Sequence, residues 1–350
     1  MMLSFIIFAL VTASATARSI GISRAAEHRV TRQDVALPSS FKWTSTQALV
    51  SPKNDDRKID GIKDPSIVFQ DGTYHVFAST AQSAGYNLVY FNFTDFNDAN
   101  SSTFAYLDQS AIGTGYRAAP QVFYFEPQKL WYLVFQDGNG AYSTNEDIGN
   151  PMGWSAIKHF YSGVPKIIED NLEGGYWLDF WVICDAENCH LFSSDDLGRL
   201  YRSQTPISSF PEGMSEPVIA MSEPRKEDLF EAANVYTIGE SQYLLLVECI
   251  GSVGRYFRSW TATDIAGPWE PLAATEENPF LGASNVEFDG TVWTKDISHG
   301  EVIRTVVDQS LTITPCNMRF FYQGVDPNAD TEYNALPWRL ALLTQQDSDC

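Results

Sequence analysis

A β-rich run, a turn and a second β-rich run recur along this chain, and nothing else in it constrains the fold as strongly. Asp64-Pro65-Ser66-Ile67-Val68-Phe69 passes through Gln70-Asp71-Gly72 into Tyr74-His75-Val76-Phe77-Ala78. The pattern returns at Ala119 to Phe125 with Trp131 to Phe135, and at Asp179 to Ile183 with Cys189 to Phe192. It returns again at Glu231 to Tyr236 with Tyr243 to Val247, and a weaker fifth copy begins near His299. Starts near 64, 119, 179, 231 and 299 are spaced by 52 to 68 residues. Loops lengthen the usual ~40–50-residue propeller repeat to that period, so an all-β, five-bladed β-propeller is expected. A β-sandwich would explain the strands but not their repeated register.

In a propeller the first strand of each blade lines the central channel, so equivalent positions of the repeats meet on one face. Three repeats open with a carboxylate, Asp64, Asp179 and Glu231, and the fifth opens with His299. Carboxyls crowded in a partly desolvated pocket have their pKa values driven apart, which leaves a neutral acid beside an ionised base. That is what glycoside hydrolysis requires. Asp179 and Glu231 abut apolar sequence, where a charge must be paired or functional. Trp131, Trp177, Trp181, Tyr333 and Trp338 are aromatic candidates for stacking on a sugar, with core packing as the alternative for most of them. His75 and His190 read as structural, and His299 as a candidate ligand for a metal or a substrate group.

The chain carries 44 Asp and Glu against 23 Lys and Arg, a formal charge of −21, which argues against a nucleic-acid partner. Ser4 to Val11 followed by the small residues Ala13 to Ala17 reads as an export signal over residues 1–17. Residues 18–36 read as a pro-segment or frayed end, and 37–350 as the catalytic propeller. The expected product is secreted and monomeric, with sequons at Asn92 and Asn100 and no flanking carbohydrate-binding module. Cys184 and Cys189 flank a four-residue turn, placed either to bridge that hairpin or to remain buried thiols; five cysteines leave at least one unpaired. No nucleophile elbow, phosphate loop, zinc motif or Cys-x-x-Cys occurs. Asp137-Gly138-Asn139-Gly140 reads as a turn.

Five ordered segments carry a family resemblance: Lys63-Asp64-Pro65, Trp177 to Asp185, Leu229-Phe230-Glu231-Ala232, Thr314 to Arg319 and Tyr333 to Leu340. From about Leu37 onward the chain closely resembles glycoside hydrolase family 62. The resemblance implies a secreted α-L-arabinofuranosidase that removes arabinofuranosyl branches from arabinoxylan and its oligosaccharides with inversion. It implies Asp64 as general base, Glu231 as general acid and Asp179 as the residue that raises the acid's pKa and orients it. Lys63, Tyr333 and Asn334 would contact the arabinose or the adjoining groove. His299 would help hold a calcium ion on the propeller axis. Asp137 stands where some members have Trp, which puts the contacts of that loop in question. The competing expectations are a β-xylosidase or arabinanase on the same fold, or a non-catalytic sugar-binding propeller.

Overall fold

The computed structural model describes Met1 and residues 37–348; apart from Met1, the expected signal and pro-segment lie outside the described residues. Among the described residues there are five sheets, four of four strands and one of five. Blade I starts at the inner strand Gly61–Gln70, blade II at Ala118–Phe125, blade III at Leu178–Cys184, blade IV at Glu231–Gly239 and blade V at Ser298–Val302. Inner strands of successive blades contact one another around the ring, so the chain is a five-bladed propeller, and each repeat begins where the sequence pattern places it.

Blade V closes the ring. It takes Ser298–Val302, Arg319–Gly324 and Arg339–Gln345 from the C-terminal part, then adds Trp43–Ser45 antiparallel to Arg339–Gln345. Val286–Phe288 completes the sheet in parallel with Trp43–Ser45. Trp43 fixes this junction: it is buried, donates its indole N–H to the Phe280 carbonyl at 2.7 Å, and packs against the Phe41 and Phe280 rings.

Every inner strand is the edge of its sheet, with N–H groups turned toward the channel that no sixth partner can satisfy. Each also carries a bulge near its start, between Lys63 and Ser66, Ala118 and Gln121, Leu178 and Trp181, Glu231 and Asn234, and Ser298 and Gly300. The bulge residues Asp64, Ala119, Asp179 and Ala232 sit at φ of +51°, +50°, +57° and +53°. Outside glycine this left-handed conformation costs about 1–3 kcal/mol and persists only where surroundings enforce it. The aligned bulges correct the expected register. Asp64, Ala119, Asp179, Ala232 and His299 are equivalent, whereas Glu231 occupies the preceding place, equivalent to Lys63. Glu231 does not share the position of Asp64 and Asp179, because the bulge in its strand falls one residue later than the carboxylate pattern suggests.

The far end of the channel is closed. The segment after Val302 crosses beneath blades II to IV, accepting from the Tyr124 and Cys184 N–H groups through Val307 and Gln309 and donating from Ile313 to Thr237. A buried Glu301–Arg304 pair at 2.6 Å fills the axis above it. Cys184 and Cys189 face each other across the first hairpin of blade III and are disulfide-bonded, and Cys249 is buried and free.

Because Trp43 holds the ring shut, Trp43→Ala is expected to lower unfolding free energy by roughly 3–5 kcal/mol, as for other buried large-to-small aromatic changes. Equilibrium denaturation measures this. A loss below about 1 kcal/mol would place ring closure elsewhere.

Candidate active site

The open mouth of the channel is a cleft of about 770 Å³, and eight of the residues singled out from sequence line it: Lys63, Asp64, Asp137, Asp179, Glu231, His299, Tyr333 and Asn334. Residues more than two hundred positions apart meet because the inner strands converge. Asp64 and Asp179 are buried, projecting from equivalent bulges in blades I and III. His299 stands between them, its Nδ1 3.5 Å from Asp64 Oδ1 and 3.8 Å from Asp179 Oδ2. This places it on the channel, not on an outer blade face.

Lys63 precedes Asp64 and is almost wholly enclosed. Its ammonium lies 3.6 Å from Asp64 Oδ1 and over the rings of Tyr86, Tyr333 and Trp338 at 5.2, 5.0 and 5.8 Å. Burial alone would lower the Lys63 pKa, but Asp64 and its neighbours outweigh that and carry it well above the ordinary value. The ammonium is therefore a fixed positive charge. It donates to the Tyr333 hydroxyl at 3.3 Å, and Tyr86 donates to Asn334 Oδ1 at 2.6 Å, which ties the Tyr333–Ala335 turn to blade I. Burial pushes the Tyr86 phenol up to about 12, so it remains a neutral hydrogen-bonding group.

Asp179 has its pKa pushed well above the carboxylate range, first by burial and then by the Glu231 and Asp64 charges, although its Oδ2 accepts the Ala232 N–H at 2.8 Å. In the structure the environment lifts Asp179, and Glu231 is ion-paired with Arg255. Asp137 lies in the turn after Leu130–Gln136, with its carboxylate 2.9 Å from His159 Nε2 and 4.0 Å from Arg117. It borders the cleft, but its charge is already engaged.

Several site residues escaped the sequence reading. The Arg255 guanidinium bonds Glu231 and the fully buried Glu248 through one nitrogen and reaches toward Tyr333 with the other. Burial raises the Glu248 carboxyl to about 7, against the pull of Arg255. Glu248 and Arg255 sit in the second and third strands of blade IV, where only their side-chain partners reveal them. The aromatic expectations divide. Trp131, Trp181 and Trp338 are core residues, with the Trp181 indole donating to the Val235 carbonyl; Trp177 is buried but borders the cleft, and Tyr333 is exposed. The exposed rings beside it are Tyr116 and Tyr176, which sequence alone did not single out.

Among the described residues no group of three or more His, Cys, Asp or Glu side chains is arranged to hold a metal. His299 would offer a cation one imidazole, with water supplying the remaining oxygens a hard ion needs.

The match to the model of glycosyl hydrolase family 62 extends over residues 42–344. The chain belongs to that family. It is 45% identical over 315 residues to alpha-L-arabinofuranosidase C of Cellvibrio japonicus, covering 89% of this chain and 48% of that protein. The chain thus spans about half the length of this curated relative. The catalytic domain of the Coprinopsis cinerea GH62 alpha-L-arabinofuranosidase is 63% identical, with a TM-score of 0.89 over 90% of this chain and all of the other. A GH62 hydrolase solved in complex with xylotriose is 60% identical, with a TM-score of 0.87 over 89% of this chain and all of its own.

The Asp179 environment makes a prediction whose sign is fixed. A carboxyl whose folded pKa lies above its unfolded value stabilises most below the unfolded value, and that contribution is lost as pH rises through the folded one. Asp179→Asn keeps an acceptor for the Ala232 N–H and removes the buried charge. It is expected to melt no lower than wild type near pH 4 and progressively higher as pH rises, while turnover falls. A variant that melts lower at neutral pH would mean that the charge is compensated.

Proposed function

We infer that this protein is an inverting α-L-arabinofuranosidase acting on arabinofuranosyl branches of arabinoxylan. The observation that carries the reading is the placement of Asp64, Asp179 and Glu231 around one cleft closed at its far end, beside a lysine held among aromatic rings. A blind cleft suits a single terminal sugar. Its relatives' names support arabinofuranosidase activity, and the xylotriose bound to a 60%-identical hydrolase supports a xylan backbone across the mouth.

In this mechanism Glu231 donates its proton to the glycosidic oxygen as the bond to the arabinose C1 breaks. Asp64 takes a proton from the water that attacks C1 from the opposite face. Glu231 ends ionised, Asp64 ends protonated, and β-arabinofuranose leaves. Glu231 and Glu248 share the Arg255 guanidinium. Asp179 anchors the strand start that carries Glu231 through the Ala232 N–H. Lys63, Tyr333 and Asn334 hold the sugar, with Asp137 at the cleft border.

The reading extends to a secreted, monomeric protein with residues 1–17 as export signal, and to a hydrated calcium ion at His299. No step above passes through that ion. Removal of such an ion by a chelator is expected to lower the melting temperature; an unchanged melting temperature and activity would remove the calcium proposal.

Incubation with wheat arabinoxylan is expected to release free arabinose, seen first by NMR as the β-anomer. Release of xylose or arabino-oligosaccharides, or none, would overturn the substrate assignment. Asp64→Asn and Glu231→Gln are each expected to lose the ~10²–10⁴-fold contribution of general acid–base catalysis while remaining folded. Retention of more than about a tenth of wild-type turnover by either variant would remove that residue from its role.

A further inference from the structure

The five inner-strand bulges share a device. In each, the N–H of the bulge residue is held by a side chain of the preceding blade. Ala119 N–H donates to Ser79 Oγ at 2.8 Å, Ala232 N–H to Asp179 Oδ2 at 2.8 Å, and His299 N–H to Glu248 Oε2 at 2.5 Å. Asp64 N–H donates to Gln323 Oε1 at 2.5 Å and Asp179 N–H to Gln136 Oε1 at 2.7 Å. Ser79, Gln136, Glu248 and Gln323 occupy matching places, each paired across its own blade with the residue just before the bulge.

Blades I and III differ from the others in that the captured residue is itself a carboxylate of the cleft. The two glutamines that capture them are buried, at 1% exposure for Gln323 and 7% for Gln136. Each amide is anchored at its other end, Gln323 Nε2 on Ser298 Oγ at 2.9 Å and Gln136 Nε2 on the Tyr116 hydroxyl at 2.5 Å. With the nitrogen committed, only the oxygen is left to face the bulge.

We propose that Gln323 and Gln136 are positioning residues for hydrolysis, holding Asp64 and Asp179 in left-handed bulges from the neighbouring blade. An Asp carboxyl reaches only two bonds from its backbone, so a change in the bulge φ displaces it directly. Freed of its acceptor, the bulge N–H of Asp64 or Asp179 would be buried and unpaired, and the backbone would relax toward the common β region. A displacement near 1 Å is enough to cost about 10²-fold in rate. Lys63, Tyr333 and Asn334, which hold the sugar, have no bond to either glutamine, so binding is expected to survive.

This inference rests on the carboxylate assignment above, and the experiment separates the two. Gln323→Leu, Gln323→Met, Gln136→Leu and Gln136→Met remove the acceptor at similar volume. Ser79→Ala removes the same capture in blade II, whose bulge residue is Ala119. On arabinoxylan, the glutamine variants are expected to lose roughly 10–100-fold in kcat with KM held within about threefold. Ser79→Ala is expected to melt lower yet keep kcat within about twofold. Wild-type kcat in folded glutamine variants, or an equal kcat loss in Ser79→Ala, would overturn the positioning role. The two glutamines serve different blades, and Leu and Met differ in shape, so a variant that fails to fold leaves others to decide. Asp64→Asn run in parallel distinguishes the failures. If it is inactive while the glutamine variants are fully active, only positioning fails; if it is active, the carboxylate assignment fails and positioning with it.

Discussion

An inner strand of a propeller blade has no neighbour on its channel side, and the rest of this structure follows from how its N–H groups are satisfied. Five strands cannot pair edge to edge around an axis without clashing, and a buried unpaired N–H costs about 1–3 kcal/mol. The chain answers with side chains sent across from the neighbouring blade. Below the bulges a second tier does the same. Ser66 Oγ accepts the Val122 N–H, Gln121 Oε1 the Val182 N–H, and Glu301 Oε2 the Ile67 N–H. The Tyr236 hydroxyl accepts the Val302 N–H. The blades are thus bonded to one another through the polar channel as well as through their apolar faces. A cleft placed at the mouth of that channel inherits its rigidity.

Blade III shows how fold and site come to depend on the same atoms. The residue facing its pre-bulge position is Ser194, yet the Ala232 N–H is captured by Asp179 instead. A carboxylate that elsewhere would be a glutamine or serine cap here does the capping while lining the cleft. It remains buried among like charges, and burial raises its pKa as the first cause. Glu248 meets a related conflict in blade IV, capping the His299 N–H while sharing Arg255 with Glu231. Polar groups kept at such expense are those whose replacement by apolar residues would stabilise the chain but empty the site.

The blades were legible in the sequence because a hairpin of two largely apolar, buried strands repeats, and that signal survives loops of varied length. The cleft residues on inner strands were legible for the same reason. What was hidden follows from two physical facts. A bulge adds a residue without a sequence mark, so Glu231 looked equivalent to Asp64 when Ala232 is. Glu248, Gln323 and Gln136 lie on second strands of largely apolar sequence, and their role appears only when the next blade is beside them; the role of Arg255, on a third strand, appears only when the sheet brings Glu231 and Glu248 to it. Exposure was equally unreadable: most of the conspicuous tryptophans entered the core, and the less conspicuous Tyr116 and Tyr176 reached the cleft.

The charge pattern of the cleft leads to one last step. The proposed arabinoxylan substrate is neutral and gains nothing from long-range steering, so on that reading the formal charge of −21 acts on solubility rather than on substrate capture. What matters is the local placement of two cations among four carboxyls. Lys63 faces Asp64 from inside an aromatic enclosure, and Arg255 faces Glu231 and Glu248 from the other side. Asp179 has neither cation in contact, and burial pushes its pKa well above the carboxylate range. The cleft therefore sorts its carboxyls by partner: one beside a fixed ammonium, two dividing a guanidinium, one with no cation in contact. Acid and base separate on that division, since identical side chains in one small volume acquire different protonation only through different neighbours.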